Sequence, residues 1–76
     1  MNKVLLRLKD LPTSKTYEVY FDDRLSFKEN FHLLSKMVDE DLENRYVYDA
    51  SKNIFLDNEI PIACFRISIF TMFFLV

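Results

Sequence analysis

The sequence predicts an α+β fold, a mixed sheet of four to five strands with one helix packed across it. Three observations carry that prediction. Two alternating apolar–polar runs, Val4 to Lys9 and Thr16 to Phe21, follow each other near the N-terminus. A single helical apolar stripe comes next, behind a helix-start signal at Ser26. The last seventeen residues, Ile60 to Val76, then carry one charge, Arg66, and suit a strand buried in a small domain.

The first run places Val4, Leu6 and Leu8 on one face and Leu5, Arg7 and Lys9 on the other, the period-two pattern of a half-buried strand. Asp10 to Lys15 is a turn cluster punctuated by Pro12. In the second run Tyr17, Val19 and Phe21 face one way, Glu18 and Tyr20 the other. A short polar connection between two such runs predicts an antiparallel hairpin.

Ser26 and Glu29 form an S-x-x-E pair, the signature of a capping box at a helix start. Phe27, Phe31, Leu34 and Val38 follow at helical spacing, with Lys28, Asn30, Ser35 and Lys36 assigned to the other side. Asp39-Glu40-Asp41 sit badly against the negative end of the helix dipole, so the helix should stop there. Tyr46-Val47-Tyr48 and Ile54-Phe55-Leu56 read as short strands around a turn. A compact segment around Pro61 is expected to bury Ile62, Phe65 and Ile67, and Thr71 to Val76 to form the last strand. Hairpin, helix, short strand pair and final strand give the β-grasp order, with the last strand central beside the first.

The rival reading of the C-terminal run is a membrane segment. A spanning helix needs about 20 largely apolar residues. This run has seventeen, interrupted by Pro61 and Arg66, and only ten follow the arginine. Ile, Phe and Thr also favour a pleated surface. A buried strand is the better fit.

Composition narrows the chemistry. The 76 residues include eight Phe and four Tyr, ample core material for one small domain. A net charge of −2 offers no basic footprint for a phosphate backbone, so no nucleic-acid partner is expected. One cysteine, Cys64, excludes an internal disulfide and suits a cytoplasmic setting. Glycine is absent, which removes phosphate-cradling loops and leaves the turns to Asn, Asp, Ser, Lys or Pro.

Three passages resemble ubiquitin-like β-grasp proteins, and within them the small bacterial YukD-like family. They are Val4-Leu5-Leu6-Arg7-Leu8 with Lys15 to Tyr20, the helix from Ser26, and Val47-Tyr48-Asp49 through Phe55-Leu56, Ile60-x-Ile62, Ile67 and Thr71 to Phe73-Phe74-Leu75-Val76. The resemblance spans nearly the whole chain, residues 1–76, as one ubiquitin-like domain. It implies a non-catalytic binding or adaptor module, accessory to the type VII (WXG-type) secretion machinery. It also implies a fold without the terminal Gly-Gly of conjugated modifiers, and Leu75-Val76 stand at this chain's end. One departure is local. Family members commonly have Asn-Gly or Asp-Gly before the final strand and a glycine before the isoleucine matching Ile67. Here Ile69-Phe70 and Arg66 occupy those places, so the turn there has another geometry or the strand starts earlier.

Candidate sites are few. His32 and Cys64 could serve as base and nucleophile, but no orienting acid or oxyanion loop accompanies them in the sequence, so Cys64 reads as a small buried residue and His32 as a helix-flank residue. Asp39, Glu40, Asp41 and Glu43 lack the alternation and central glycine of a calcium loop and read as a solvated acidic stretch. No catalytic residue, cofactor or metal is expected. The expected protein-binding face is the side of the sheet away from the helix. If Met72, Phe74 and Val76 face the helix, the outward set is Leu5, Tyr46, Tyr48, Phe73 and Leu75, a patch suited to secretion-machinery partners or to a homo-oligomer. The alternative function is a small membrane-associated protein that docks through its hydrophobic C-terminus.

Overall fold

The computed structural model describes residues 3–67 and 71–76. Its elements are β1 (Lys3–Asp10), β2 (Thr16–Asp22), α1 (Phe27–Val38), β3 (Val47–Asp49), β4 (Ile54–Leu56), a 3-10 turn (Ile62–Cys64) and β5 (Met72–Leu75). The five strands form one sheet in the order β2-β1-β5-β3-β4. β1 runs antiparallel to β2 and parallel to β5, which is antiparallel to β3. The apolar C-terminal run therefore supplies the central strand, and among the described residues no helix is long and apolar enough to cross a membrane.

The helix begins where the capping box places it. Glu29 N–H donates to Ser26 Oγ at 3.1 Å, and Ser26 N–H donates to Glu29 Oε1 at 3.3 Å. A further first-turn amide, Lys28 N–H, donates to Asn58 C=O at 3.1 Å. The helix ends at Asp39, whose φ of 54° is left-handed. With no glycine in the chain, the positive-φ positions among the described residues fall to Ser14, Asp39 and Asn53, and Asp and Asn tolerate that region best.

One side of the sheet meets the helix. Leu6, Leu8, Phe21, Val47, Leu56, Phe73 and Leu75 pack with Phe27, Phe31, Leu34, Leu42 and Ile62 into a single core. Phe21 lies edge-on to Phe31 with centroids 5.6 Å apart, and Phe27 sits 6.0 Å from Phe65. Each fully buried Phe or Leu contributes roughly 1.5–3 kcal/mol, against about 1 kcal/mol for the capping serine. Packing thus outweighs capping in holding the helix.

Two expectations are corrected by the fold. Asn30 is buried at the helix–sheet junction: its Nδ2 donates to Asp22 C=O at 3.0 Å and to Ser26 C=O at 2.9 Å, and its Oδ1 accepts Asp22 N–H at 3.0 Å. Cys64 is exposed, because its three-residue turn points only Ile62 inward. The Ile69-Phe70 turn lies outside the described residues.

Two acidic residues share the buried face. Asp10 receives a two-pronged bond from Arg45, with Nη1 donating to Oδ2 at 2.9 Å and Nη2 donating to Oδ1. The bonded guanidinium outweighs the cost of burial and holds the Asp10 carboxyl below its ordinary range. Arg45 also donates from Nη2 to Leu75 C=O at 3.1 Å and from Nε to Val76 C=O at 3.1 Å. One side chain thereby ties the ends of β1 and β5 together. Asp49 turns its carboxylate onto Ser51, accepting from its N–H at 3.0 Å and its hydroxyl at 2.6 Å.

Candidate functional site

The outer face of the sheet is fixed by register. Leu8 pairs with Phe73 and Asp10 with Leu75, while Val47 pairs with Leu75 and Asp49 with Phe73. Residues directly opposite on neighbouring strands point to the same side. Leu8 and Val47 line the core, so Phe73 and Leu75 line it too, at 1% and 0% exposure. This corrects the expected outward set. Phe73 and Leu75 face the helix, and the outward residues of β5 are Met72 and Phe74, followed by Val76.

The corrected face still gathers aromatic side chains. Phe74 lies between Lys9 of β1 and Tyr48 of β3, and Phe55 of β4 lies across from Tyr48. Tyr48 and Phe55 meet edge to face with centroids 5.1 Å apart. Tyr46 exchanges backbone hydrogen bonds with Val76, N–H to C=O at 3.2 Å and the reverse at 3.0 Å, which extends the ladder by one pair. Phe55 and Tyr46 are 62% and 60% exposed, and Tyr48 and Phe74 are half-buried. Leu5 is half-buried at the far side of the sheet, opposite Tyr20. Phe55 is absent from the set expected from sequence. Its signal was the alternation within β4, where Leu56 points inward and Phe55 must point out.

Charges around this row come chiefly from β1. Lys3, Arg7 and Lys9 alternate with the core-facing leucines and lie on the outer side. Glu18 of β2 stands opposite Arg7 on the same side, and other acidic residues make their ion pairs elsewhere. Glu40 binds Lys15 and Tyr17 beyond the end of α1, and burial together with the Glu40 bond pushes the Tyr17 phenol up to about 12. Asp22 holds Arg24 at 2.8 Å and is pulled down to about 2 by it.

The structure separates the two residues with nucleophile and base chemistry. His32 Nδ1 lies 2.6 Å from Glu43 Oε1, an acid–imidazole contact that the sequence pattern does not reveal. The groove around it is lined by Leu25, Lys28, Glu29, Leu33 and Asn44, none with a hydroxyl or thiol. Cys64 is not among them. Among the described residues no three His, Cys, Asp or Glu side chains are placed to hold a metal ion.

A five-stranded mixed sheet, a single helix across one side and a central parallel strand pair define the ubiquitin-like β-grasp class. Solved structures agree. A de novo designed protein based on ubiquitin matches with a TM-score of 0.72 and 12% identity, over 99% of this chain and 88% of that one. The solution structure of the C-terminal ubiquitin-like domain of mouse tubulin-specific chaperone e matches with a TM-score of 0.67 and 18% identity, over 97% and 84%. At these identities the likeness shows the fold. No protein-family profile matches the chain, and no curated protein does.

Proposed function

We propose that residues 1–76 form one ubiquitin-like domain that acts as a non-catalytic binding or adaptor module, taking a protein partner on its outer sheet face. The observation that supports this most is the row Phe74, Tyr48 and Phe55, with Tyr46 beside it, on the side of the sheet that the helix leaves uncovered. Contiguous aromatic surface of this kind suits an interface, where aromatic anchors carry much of the binding energy. Leu5, Tyr46 and Tyr48 stay in the proposed site, joined by Phe55, Met72 and Phe74.

The proposed setting is the bacterial cytoplasm, as an accessory to the type VII (WXG-type) secretion machinery, and it rests on the YukD-like resemblance of the three passages named above. The test is replacement of the native gene by Tyr48→Ala/Phe74→Ala in a host that carries such a system. Machinery subunits that co-purify with wild-type protein should be lost from the variant, and export of WXG-type substrates should fall. Unchanged capture and unchanged export would overturn the proposal. Sedimentation of the purified pair would show whether the same face also joins two copies.

A further inference from the structure

The outer face ends, beyond the paired part of β3 and β4, in a corner of different chemistry. Val47 pairs with Leu56 and Tyr48 with Phe55. Tyr46 and Asp57 therefore stand one step further along the same ladder, on the side that Tyr48 and Phe55 take. There the surface dips into a recess of about 550 Å³ that reaches from the sheet to Lys28 in the first turn of α1. Two aromatic rings, Tyr46 and Phe55, and three carboxylates, Glu43, Asp57 and Glu59, line it.

The cations in this wall are already paired. Arg45 commits its guanidinium to Asp10 and to the carbonyls of Leu75 and Val76, and Lys28 lies 3.5 Å from Glu59. Acceptors remain in excess. Glu43 holds His32 through Oε1, and Asp57 Oδ1 accepts Glu59 N–H at 2.8 Å. The second oxygen of each takes no hydrogen bond among the described residues. Asn58, in the same wall, donates from Nδ2 to Arg45 C=O at 2.7 Å, while its buried Oδ1 has no donor among the described residues. A wall of this composition suits a hydrogen-bond donor that carries positive charge.

The aromatic rings decide which donor fits best. A metal ion needs several oxygens converging on one point, and among the described residues no three His, Cys, Asp or Glu side chains are so placed. An ammonium group is a strongly hydrated point charge. A guanidinium stacks flat on an aromatic ring and reaches a carboxylate with its N–H fork. Tyr46 and Phe55 are mostly exposed and offer such rings in the recess that Asp57 lines. Charge also directs the approach. On the other flank of the aromatic row β1 carries Lys3, Arg7 and Lys9, which disfavour a cation there and favour it at this corner.

We propose that this corner is an arginine-binding subsite, which receives an arginine side chain of the protein partner seated on the Phe74–Tyr48–Phe55 row. The guanidinium stacks on the Tyr46 and Phe55 rings and donates to Asp57 Oδ2, and Glu43 and Glu59 add negative charge around it. The subsite rests on the reading that the outer face meets a protein, but its preference for arginine can be measured by itself.

The test is NMR titration of isotope-labelled protein with the capped tripeptide Ala-Arg-Ala, with Ala-Lys-Ala and Ala-Glu-Ala as controls. The amides of Tyr46, Phe55 and Asp57 should shift and saturate with the arginine peptide, respond more weakly to lysine, and stay unmoved by glutamate. Phe55→Leu and Asp57→Asn should each weaken arginine binding by about threefold. Both positions are exposed, so the thermal midpoint should hold, and Glu43→Gln serves if either variant does not fold. No shifts at these amides, equal binding of the lysine peptide, or wild-type affinity in folded variants would each overturn the proposal. In cells, Asp57→Lys should lower capture of the partner that Tyr48→Ala/Phe74→Ala removes. Wild-type capture by Asp57→Lys alone strikes the arginine subsite, whereas unchanged capture by both variants strikes the reading of the whole face.

Discussion

Phe73 and Phe74 are chemically identical neighbours, yet one is sealed in the core and the other belongs to the outer face. Nothing in the composition of β5 distinguishes its two sides, since every residue from Met72 to Val76 is apolar. What distinguishes them is the neighbouring strands. Leu8 and Val47 carry Phe73 and Leu75 to the helix side, and Lys9 and Tyr48 carry Phe74 to the other. The inner side is then covered by Phe27, Phe31 and Leu34 of the helix. The outer side has no covering layer within the described residues. A strand that is apolar throughout says that it is central, and its register says which side is core and which is available for contact.

The sharpest way to break this comparison is to truncate the two phenylalanines separately. Phe73→Ala should destabilise the domain by about 3–5 kcal/mol, the usual loss for a buried phenylalanine. Phe74→Ala should cost under about 1.5 kcal/mol, since it gives up only part of a side chain's burial. Denaturant unfolding with matched m-values checks both, and equal losses would mean that the two sides of β5 are equally buried.

The next effect concerns the charge on the inner face. Arg45→Ala leaves Asp10 buried without its partner and should cost on the order of 3 kcal/mol, the low end for a broken buried pair. The same variant should alter the acid limb of stability. Asp10 has a folded pKa below its unfolded value, so its contribution is present above the ordinary carboxylate range and is lost as pH falls through the folded pKa. Wild-type stability should therefore drop below about pH 4, and Asp10→Asn should flatten part of that drop. A thermal midpoint measured against pH would show it, and identical acid limbs in the two proteins would contradict the assignment. Exposed pairs such as Arg24–Asp22 should add little by comparison.

The smallest effect lies at the helix start. Ser26→Ala should lose about 0.5–2 kcal/mol, because it removes the acceptor for Glu29 N–H. An unchanged denaturant midpoint would show that the helix is held by its buried phenylalanines alone.

The hairpin, the helix start and the central position of the final strand were legible in the sequence because each has a local signature. Alternation marked β1 and β2, Ser26 with Glu29 marked the cap, and apolar continuity marked β5. The facing of β5 was not legible, because five consecutive apolar residues satisfy either parity and the deciding partners are distant in sequence. Asn30 was misplaced for a different reason. It falls three residues after Phe27, inside the buried stripe, but its polarity argued for the surface, and its bonds to the Asp22 and Ser26 backbone give its amide a reason to be inside. Of the expected binding face, Leu5, Tyr46 and Tyr48 lie on the outer side, Phe73 and Leu75 do not, and Phe55 and Phe74 take their place.

The central claim is that this outer face, and not some other exposed part of the domain, meets the partner. The most direct measurement is site-specific photocrosslinking in the native cell, with the crosslinking residue placed at Phe55 in one strain and at Ile60, exposed but outside the sheet, in another. The account predicts a discrete crosslinked species from position 55 that disappears when Tyr48→Ala and Phe74→Ala are added, and none of that size from position 60. The same species from both positions, or its persistence in the double variant, would contradict it.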